Sequence, residues 1–348
     1  MGKLWVYGIT VTVGLARLAM AQEAVCDWQN HKLLGVGTEP PHTTMVACPD
    51  EATAKAINRV SNAERVKSPW YRSLNGMWKY RYAQTPAARV PDFFKLGFDD
   101  SDWTTIPVPS NVEAEGHGVA IYTNTKYPWL EPPAGYDVSK DFAWRPAVKP
   151  TPPFIPQDNP YNTVNAYRRT FEVPAEWSGR PIYITFDGVN SFFYLWINGM
   201  KVGLGKDSRT PVEFNVSRYV KPGQNLIAVE NFRWCDGSYL ECQDFWRLSG
   251  IFRDVYLWAA PQQHVRDIEI KTDLDAQYVN ARVSVAAWLT NAAARAVSVR
   301  AVVGLLDAAG KAVPIQAQAE TLRLEAGGRQ GYACSFQVRN PLKWTAET

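Results

Sequence analysis

The densest collection of potentially reactive side chains lies in residues 233–257, which read RWCDGSYLECQDFWRLSGIFRDVYL. This segment contains three arginines, four acidic residues, two cysteines and six aromatic residues, and it lacks clear helical or strand periodicity until its end. Guanidinium and carboxylate groups can bind sugar hydroxyls or ions, and they can also pair with each other. Because a buried charge without a partner costs several kcal/mol, the segment poses the question of what these charges contact.

Other combinations of side chains exclude several kinds of chemistry. The chain has five cysteines without a C-x-x-C motif and four scattered histidines, which disfavours a metal site. Its net charge of +3, without a basic run, argues against nucleic-acid binding. Glycoside hydrolysis needs two closely placed carboxyl groups, and the sequence alone nominates no such pair among the 34 acidic residues.

The elements that must position these groups are mostly strands. Alternating apolar patterns, punctuated by Pro and Gly, predict strands at 77–83, 165–173, 181–189, 191–203, 225–234 and 252–259. Asn198-Gly199 predicts a tight hairpin, and a helix is expected at 51–60. The proline-rich interval 128–160 predicts a surface loop. Together these patterns predict an all-β, double-sheet sandwich.

The ends of the chain suggest further divisions. A short basic start, an apolar run and Ala19-Met20-Ala21 predict a cleaved signal peptide at 1–21, hence a secreted or periplasmic protein. No other stretch approaches a membrane span. We expect an N-terminal extension at 22–60 and the first sandwich at 61–260. From 261 to 348 the shorter, alanine- and valine-rich strands predict an immunoglobulin-like sandwich.

Several segments resemble glycoside hydrolase family 2, and specifically its β-galactosidases. The matching segments are 73–83, 106–111, 121–128, 152–171, 186–216, 233–255 and 340–344. The resemblance implies a jelly-roll sugar-binding domain followed by an immunoglobulin-like domain. The family's third domain, a TIM barrel with the catalytic glutamates and a magnesium site, has no counterpart here. The chain lacks the family's Asn-Glu dipeptide and the roughly 250 residues of alternating strands and helices that a barrel needs.

The resemblance also implies roles for two individual residues. Asp207, in GKDSRTP, matches an aspartate that contacts galactose hydroxyls and helps to bind a sodium ion. Asn124, in IYTNTKYP, matches an asparagine that reaches the galactose from a loop. Each also has a plain structural interpretation, as a residue that stabilises a turn. Since the barrel forms the floor of the family's pocket, this chain would supply half a site.

The resemblance places the charged segment where the first domain meets the barrel, next to the active site. We therefore interpret it mainly as a partly buried ionic network, with direct substrate contact as the alternative. The expected pairs join Arg233, Arg247 and Arg253 to Asp236, Glu241, Asp244 and Asp254.

Two cysteines in this segment depart from the family pattern. Cys235 and Cys242 stand where the family usually has Ser and Asp. In an exported protein this pair suggests a disulfide across a short loop. Two independent substitutions, with both thiols reduced, are the alternative.

The function predicted from the sequence is that of the non-catalytic N-terminal portion of a retaining β-galactosidase. Its expected partners are galactosides and a catalytic barrel, in cis or as a separate chain, and family members are often oligomers. The alternatives are a free-standing carbohydrate-binding protein and a fragment that complements a separate barrel chain. Glucuronidases and mannosidases of the family are less favoured, because the D-S-R and D-G-S-Y-L-E-x-Q-D motifs point to galactosidases.

Overall fold

The computed structural model of the chain is built almost entirely from β-strands. The structure describes residues 26–57, 62–122, 124, 127, 162–241, 243–316 and 319–346. The predicted signal peptide and the proline-rich interval 128–160 lie outside these residues. The helices of the described part are short, and none is long and apolar enough to cross a membrane. They are α1 (Glu51–Ala56), α2 (Asn62–Arg65) and α3 (Ser238–Glu241).

The first sandwich consists of two main antiparallel sheets and two short strand pairs. Its strands are β1 (Gly35–Val36), β2 (Tyr71–Ser73), β3 (Gly76–Ala83), β4 (Thr104–Val108), β5 (Ile121–Tyr122), β6 (Val164–Val173), β7 (Ile182–Phe186), β8 (Val189–Asn190), β9 (Phe192–Ile197), β10 (Met200–Gly205), β11 (Val212–Asn215), β12 (Gly223–Phe232), β13 (Trp246–Arg247), β14 (Gly250–Ile251) and β15 (Val255–Ala259). The seven-stranded sheet has the order β1-β10-β9-β12-β6-β3-β4, and the four-stranded sheet has the order β11-β7-β15-β2. The pairs are β13 with β5 and β14 with β8.

The inner strand β9 explains why the seven-stranded sheet is so rich in aromatic residues. All six residues of its sequence FFYLWI are buried, because both of its faces are covered. Phe193, Leu195 and Ile197 pack into the core between the two sheets. The alternate residues Phe192, Tyr194 and Trp196 pack into a second apolar cluster, which includes Trp28 and Trp103. Much of the unusual tryptophan content therefore fills cores.

The strands and turns expected from the sequence are largely confirmed. The predicted strands at 77–83 and 165–173 correspond to β3 and β6. Asn198 and Gly199 both have positive φ angles, 50° and 80°, as the predicted hairpin between β9 and β10 requires. The predicted helix at 51–60 is shorter in the structure: α1 begins after Asp50, whose side chain accepts a hydrogen bond from the Thr53 amide, and ends at Ala56.

The N-terminal segment, residues 26–57, runs along the first sandwich and reaches the second. Within it, β1 pairs with β10 at the edge of the seven-stranded sheet. Further along, the Thr43 amide donates to Asp267 and the Thr43 hydroxyl donates to the carbonyl of Ile268. Much of the predicted extension at 22–60 therefore packs as part of the folded body.

The second sandwich is immunoglobulin-like and has a smaller core than the first. Its strands are β16 (Gln263–Leu274), β17 (Ala281–Asn291), β18 (Val297–Ala301), β19 (Leu305–Leu306), β20 (Ala312–Val313), β21 (Glu320–Leu324) and β22 (Arg329–Val338). Strands β16, β17 and β22 form one sheet, and β18 with β21 forms a facing pair. Ala287, Leu322 and Tyr332 are buried between them.

A buried carboxylate joins the N-terminal segment and the two sandwiches. Glu213, on β11, has a side chain only 7% exposed and lies 2.7 Å from Arg266 Nη2 on β16. It also contacts His42 Nε2 at 3.2 Å and accepts hydrogen bonds from Thr185 and Trp258. Burial would raise the pKa of Glu213, but the hydrogen bond from His42 and the charge of Arg266 hold it below its usual value. The domains thus meet at a buried ionic cluster whose central carboxylate, Glu213, is satisfied.

A second buried carboxylate is poorly paired and makes stability depend on pH. Glu230 on β12 is 8% exposed, and its closest cation, Arg89 Nε, lies 3.8 Å away. Burial outweighs the charges of Arg89 and Lys201 and raises the pKa of Glu230 to about 7. Between about pH 4.5 and 7 the unfolded chain releases this proton while the folded chain retains it, so rising pH favours unfolding.

We predict that Glu230→Gln removes this loss of stability with rising pH. The variant should be more stable than the wild type by about 3 kcal/mol at pH 8, with the difference fading towards pH 4.5. Urea unfolding of both proteins across this range measures the effect, with the exposed Glu172→Gln on β6 as a matched control. A stability difference that does not change with pH would contradict the assignment.

Candidate functional site

Asp207 lies at the surface in the loop between β10 and β11. Its φ angle is +77°, an uncommon conformation for a residue other than glycine. Its carboxylate accepts hydrogen bonds from the backbone amides of Arg209 and Thr210 and from the Thr210 hydroxyl. Asp207 therefore does stabilise a turn in the structure, as the plain structural interpretation expects. Because the side chain is exposed, the remaining lone pairs of its oxygens are open to a ligand.

Asn124 is also exposed, and it follows the short strand β5. Its side chain forms a hydrogen bond with the Asp244 carboxylate. The hydrogen bond from Tyr122, which has the larger effect, and that from Asn124 lower the pKa of Asp244 below its usual value. The Tyr122 hydroxyl donates to Asp244 Oδ1 at 2.6 Å. Asp244 thus fixes the loop that carries Asn124.

One short segment, residues 238–247, holds the loops of both candidate residues. Glu241 Oε1 accepts the Ser208 amide at 2.8 Å, and Glu241 Oε2 accepts the Ser208 hydroxyl at 2.6 Å. Ser208 follows Asp207 directly and is fully buried, so this pair of bonds anchors the Asp207 loop. At the other end of the segment, Asp244 holds the Asn124 loop. The two predicted site residues are therefore attached to the same structural support.

The expected pairing of charges within the segment is wrong for the residues whose partners are best defined. Arg233 lies 3.4 Å from Glu113, and Asp236 lies 2.6 Å from Lys206. Glu241 binds a serine instead of an arginine. Arg233 is three residues from Asp236 and eight from Glu241. Charges at such spacings in an irregular loop point in different directions, and nearby loops offer better geometry. The charged segment 233–257 therefore works as a hub that binds other parts of the chain, and we call it the hub segment.

Cys235 begins the turn that leads into α3 and is buried in the second apolar cluster. The structure has Cys235 as a reduced thiol, and burial raises its pKa to about 11. Cys242 lies outside the described residues, so the disulfide between Cys235 and Cys242 stays a prediction.

The described residues only partly fit the sodium site that the family implies. Asp207 provides one carboxylate, a hard oxygen ligand suited to such a cation. Among the described residues, no three His, Cys, Asp or Glu side chains come together to hold a metal. A cation at Asp207 would thus need further oxygen ligands from elsewhere, and Asp207 alone does not define its site.

The fold defines the class of protein by architecture: a jelly-roll sandwich followed by an immunoglobulin-like sandwich. Residues 71–261 match the sugar-binding domain of the glycosyl hydrolases family 2, and residues 263–348 match a second domain of the same family. The chain belongs to glycosyl hydrolase family 2.

The curated relatives include full-length bacterial enzymes. The chain is 36% identical over 324 residues to a β-galactosidase of Priestia megaterium, which covers 92% of this chain and 29% of that protein. It is 38% identical over 275 residues to a β-galactosidase of Halalkalibacterium halodurans, covering 79% of this chain and 25% of the relative. The chain thus spans less than a third of the length of these relatives.

Solved structures share the fold at low sequence identity. A calcium-binding mutant of Bacteroides uniformis β-glucuronidase 2 matches with a TM-score of 0.59 and 20% identity, over 79% of this chain and 29% of that one. A family 2 member from Bacteroides cellulosilyticus matches with a TM-score of 0.55 and 19% identity, over 80% of this chain and 32% of that one. These matches support the architecture.

We predict that Glu241 keeps the Asp207 loop ordered. Glu241→Gln replaces one acceptor oxygen by a donor group, so one of the two bonds to Ser208 is lost, at a cost of about 1–3 kcal/mol. Hydrogen exchange at the Ser208 amide should accelerate in this variant. Exposed Glu320→Gln in the second sandwich is the control, and unchanged protection in Glu241→Gln would refute the anchoring role.

We predict slow thiol chemistry at Cys235. Because its raised pKa and burial keep it protonated and inaccessible, it should resist alkylation at pH 8 in the folded protein and react after denaturation. Mass spectrometry of tryptic peptides, with and without reduction, measures this. A Cys235–Cys242 disulfide that is detected in the unreduced sample and lost on reduction would establish the bond instead. Rapid alkylation of Cys235 in the folded chain would contradict its burial.

Proposed function

We propose that this chain is the sugar-binding and immunoglobulin-like portion of a β-galactosidase. It supplies the edge of a galactoside site through Asp207 and Asn124, while a catalytic barrel supplies the carboxylates for hydrolysis. The observation that carries the proposal is the shared support of these two exposed residues by Glu241 and Asp244. The β-galactosidase names of the matched relatives support the choice of substrate.

The surface next to this support suits a large protein partner. Val119, Tyr122, Leu240 and Trp246 expose 53–82% of their area around the hub segment. Exposed apolar groups of this size, close to charged groups, are typical of protein interfaces. We assign this face to the catalytic barrel, in cis or as a separate chain.

The proposed chemistry divides between the two parts. On this chain, carboxylate and amide oxygens accept hydrogen bonds from sugar hydroxyls, and the Asn124 amide donates one. Asp207 would provide one oxygen to the sodium ion, with the remaining ligands contributed by the barrel. The signal-like N-terminus supports export to the periplasm or the medium as part of this proposal.

We predict that the purified 348-residue chain does not hydrolyse an aryl galactoside above background. Galactose should bind with a dissociation constant in the millimolar range or weaker, about 4 kcal/mol or less, because only half of the pocket is present. Calorimetry and a release assay measure both quantities.

Two outcomes would contradict this proposal. Turnover that persists after repurification and disappears on substitution of a carboxylate of this chain would place catalysis here. Micromolar galactose affinity would favour the alternative of a free-standing carbohydrate-binding protein. In a longer protein that contains a barrel, Asp207→Ala should reduce catalysis and its sodium dependence, and Asp92→Ala is a surface control.

A further inference from the structure

A cleft of about 960 Å³ lies between the two sandwiches, and neither Asp207 nor Asn124 lines it. The N-terminal segment forms one wall, and turns of both sandwiches form the others. Three arginines from separate elements line it: Arg180 before β7, Arg218 after β11, and Arg329 at the start of β22. Positive charge from both sandwiches therefore converges on one space.

Each of these guanidinium groups is held by an aromatic ring. The Arg180 Cζ atom lies 4.2 Å from the centroid of Trp70, and the Arg329 Cζ atom lies 4.8 Å from that of Trp288. Arg218 Cζ lies 4.8 Å from the centroid of its neighbour Tyr219, and its Nη2 atom donates to the Tyr219 hydroxyl at 2.6 Å, so its other N–H groups remain for a ligand. Stacking orients a guanidinium group while leaving N–H groups at its edge available, so less entropy is lost when an anion binds.

None of these three arginines forms a salt bridge within 4.0 Å in the described part of the chain. Asp267 does lie near Arg329: the hydrogen bond from the Thr43 amide chiefly lowers the pKa of Asp267, and the charge of Arg329 adds to this effect. The two acidic residues that line the cleft are already engaged. Glu39 pairs with Arg266 at 3.2 Å, and Asp267 accepts the amides of Thr43 and Ile268. The net charge available to a ligand in the cleft is therefore positive.

Arg266 also lines the cleft, at its back wall. It is 6% exposed, and its Nη2 atom contacts Glu213 and Glu39. Its Nη1 atom is buried without a hydrogen-bond partner among the described residues. Because that atom is enclosed, the accessible donors of the cleft are those of the other three arginines.

We propose that this cleft binds a small ligand that carries oxyanion groups, as phosphate, sulfate or carboxylate. Three stacked arginines that form no salt bridge provide paired N–H donors that match the two oxygens of such a group. A neutral sugar would leave this charge uncompensated. A ligand bound here contacts both sandwiches, so it would strengthen their association independently of the proposed galactoside site.

The test is calorimetric titration of the 348-residue chain with inorganic sulfate and inorganic phosphate, at an ionic strength held constant with chloride. We expect saturable binding of at least one anion. Parallel titrations with D-galacturonate and D-galactose identify the source: binding of galacturonate but not galactose indicates an acidic sugar, and binding of the inorganic anions alone indicates a free oxyanion.

Variants locate the site. Arg218→Gln and Arg329→Gln should each weaken anion binding about tenfold, since a hydrogen bond to a charged group is lost. Arg300→Gln removes another exposed arginine of the second sandwich, outside the cleft, and should leave binding unchanged. Arg329→Lys keeps the charge but loses the fork, so it should weaken binding as well. Melting curves confirm that each variant is folded.

Three results would overturn the proposal. The first is absence of saturable anion binding by the wild-type chain, which is independent of any variant. The second is an equal loss of affinity in Arg300→Gln, which would show only a general effect of charge. The third is binding of galactose as tight as that of galacturonate, which would show that the anionic group is not recognised.

Discussion

The architecture depends on how one buried carboxylate is satisfied. Glu213 projects from β11 into the junction, where removal of a carboxylate from water is costly unless donors replace the solvent. Its donors come from two strands of its own sheet, from the N-terminal segment and from the second sandwich. Because these elements must all be in place to supply them, Glu213 couples the packing of the N-terminal segment to the arrangement of the two domains.

Charged residues of the hub segment are likewise held by contacts with other parts of the first sandwich. Its charged residues reach outward to Glu113, Lys206 and Ser208, and so they connect loops that are distant in sequence. An irregular backbone suits this task, since a regular strand would point alternate side chains into only two directions. The charged residues of this segment therefore fix the positions of neighbouring loops more than they stabilise the segment itself.

The sequence predicts those features that arise from local patterns. Strand β9, the turn at Asn198-Gly199 and the change of texture near residue 261 follow from alternation and turn chemistry, and the rare motifs led directly to the family. The features that the sequence could not predict depend on contacts between residues far apart along the chain. The two-residue strand β1 carries no readable pattern, and the partners of Arg233 and Asp236 lie about 120 and 30 residues away.

The candidate site also combines features that the sequence predicts with features that only the folded structure shows. Residue matching singled out Asp207 and Asn124, but only the folded structure shows that Glu241 and Asp244 support their loops. No sequence signal could have found the cleft between the sandwiches, because Arg180, Arg218 and Arg329 are single arginines in unrelated turns. Their common feature is a position in space, which periodicity and motif spacing do not encode.

The contacts of Thr43 constrain the order in which the protein can mature. This residue bonds to Asp267 and Ile268, which are made 224 and 225 residues later. During synthesis, the part of the N-terminal segment around Thr43 cannot make these contacts, and its polar groups stay hydrated, until β16 has left the ribosome. The first sandwich, including the pairing of β1 with β10, can form meanwhile. A part of the chain that is made early is thus completed only after the second domain has begun to emerge.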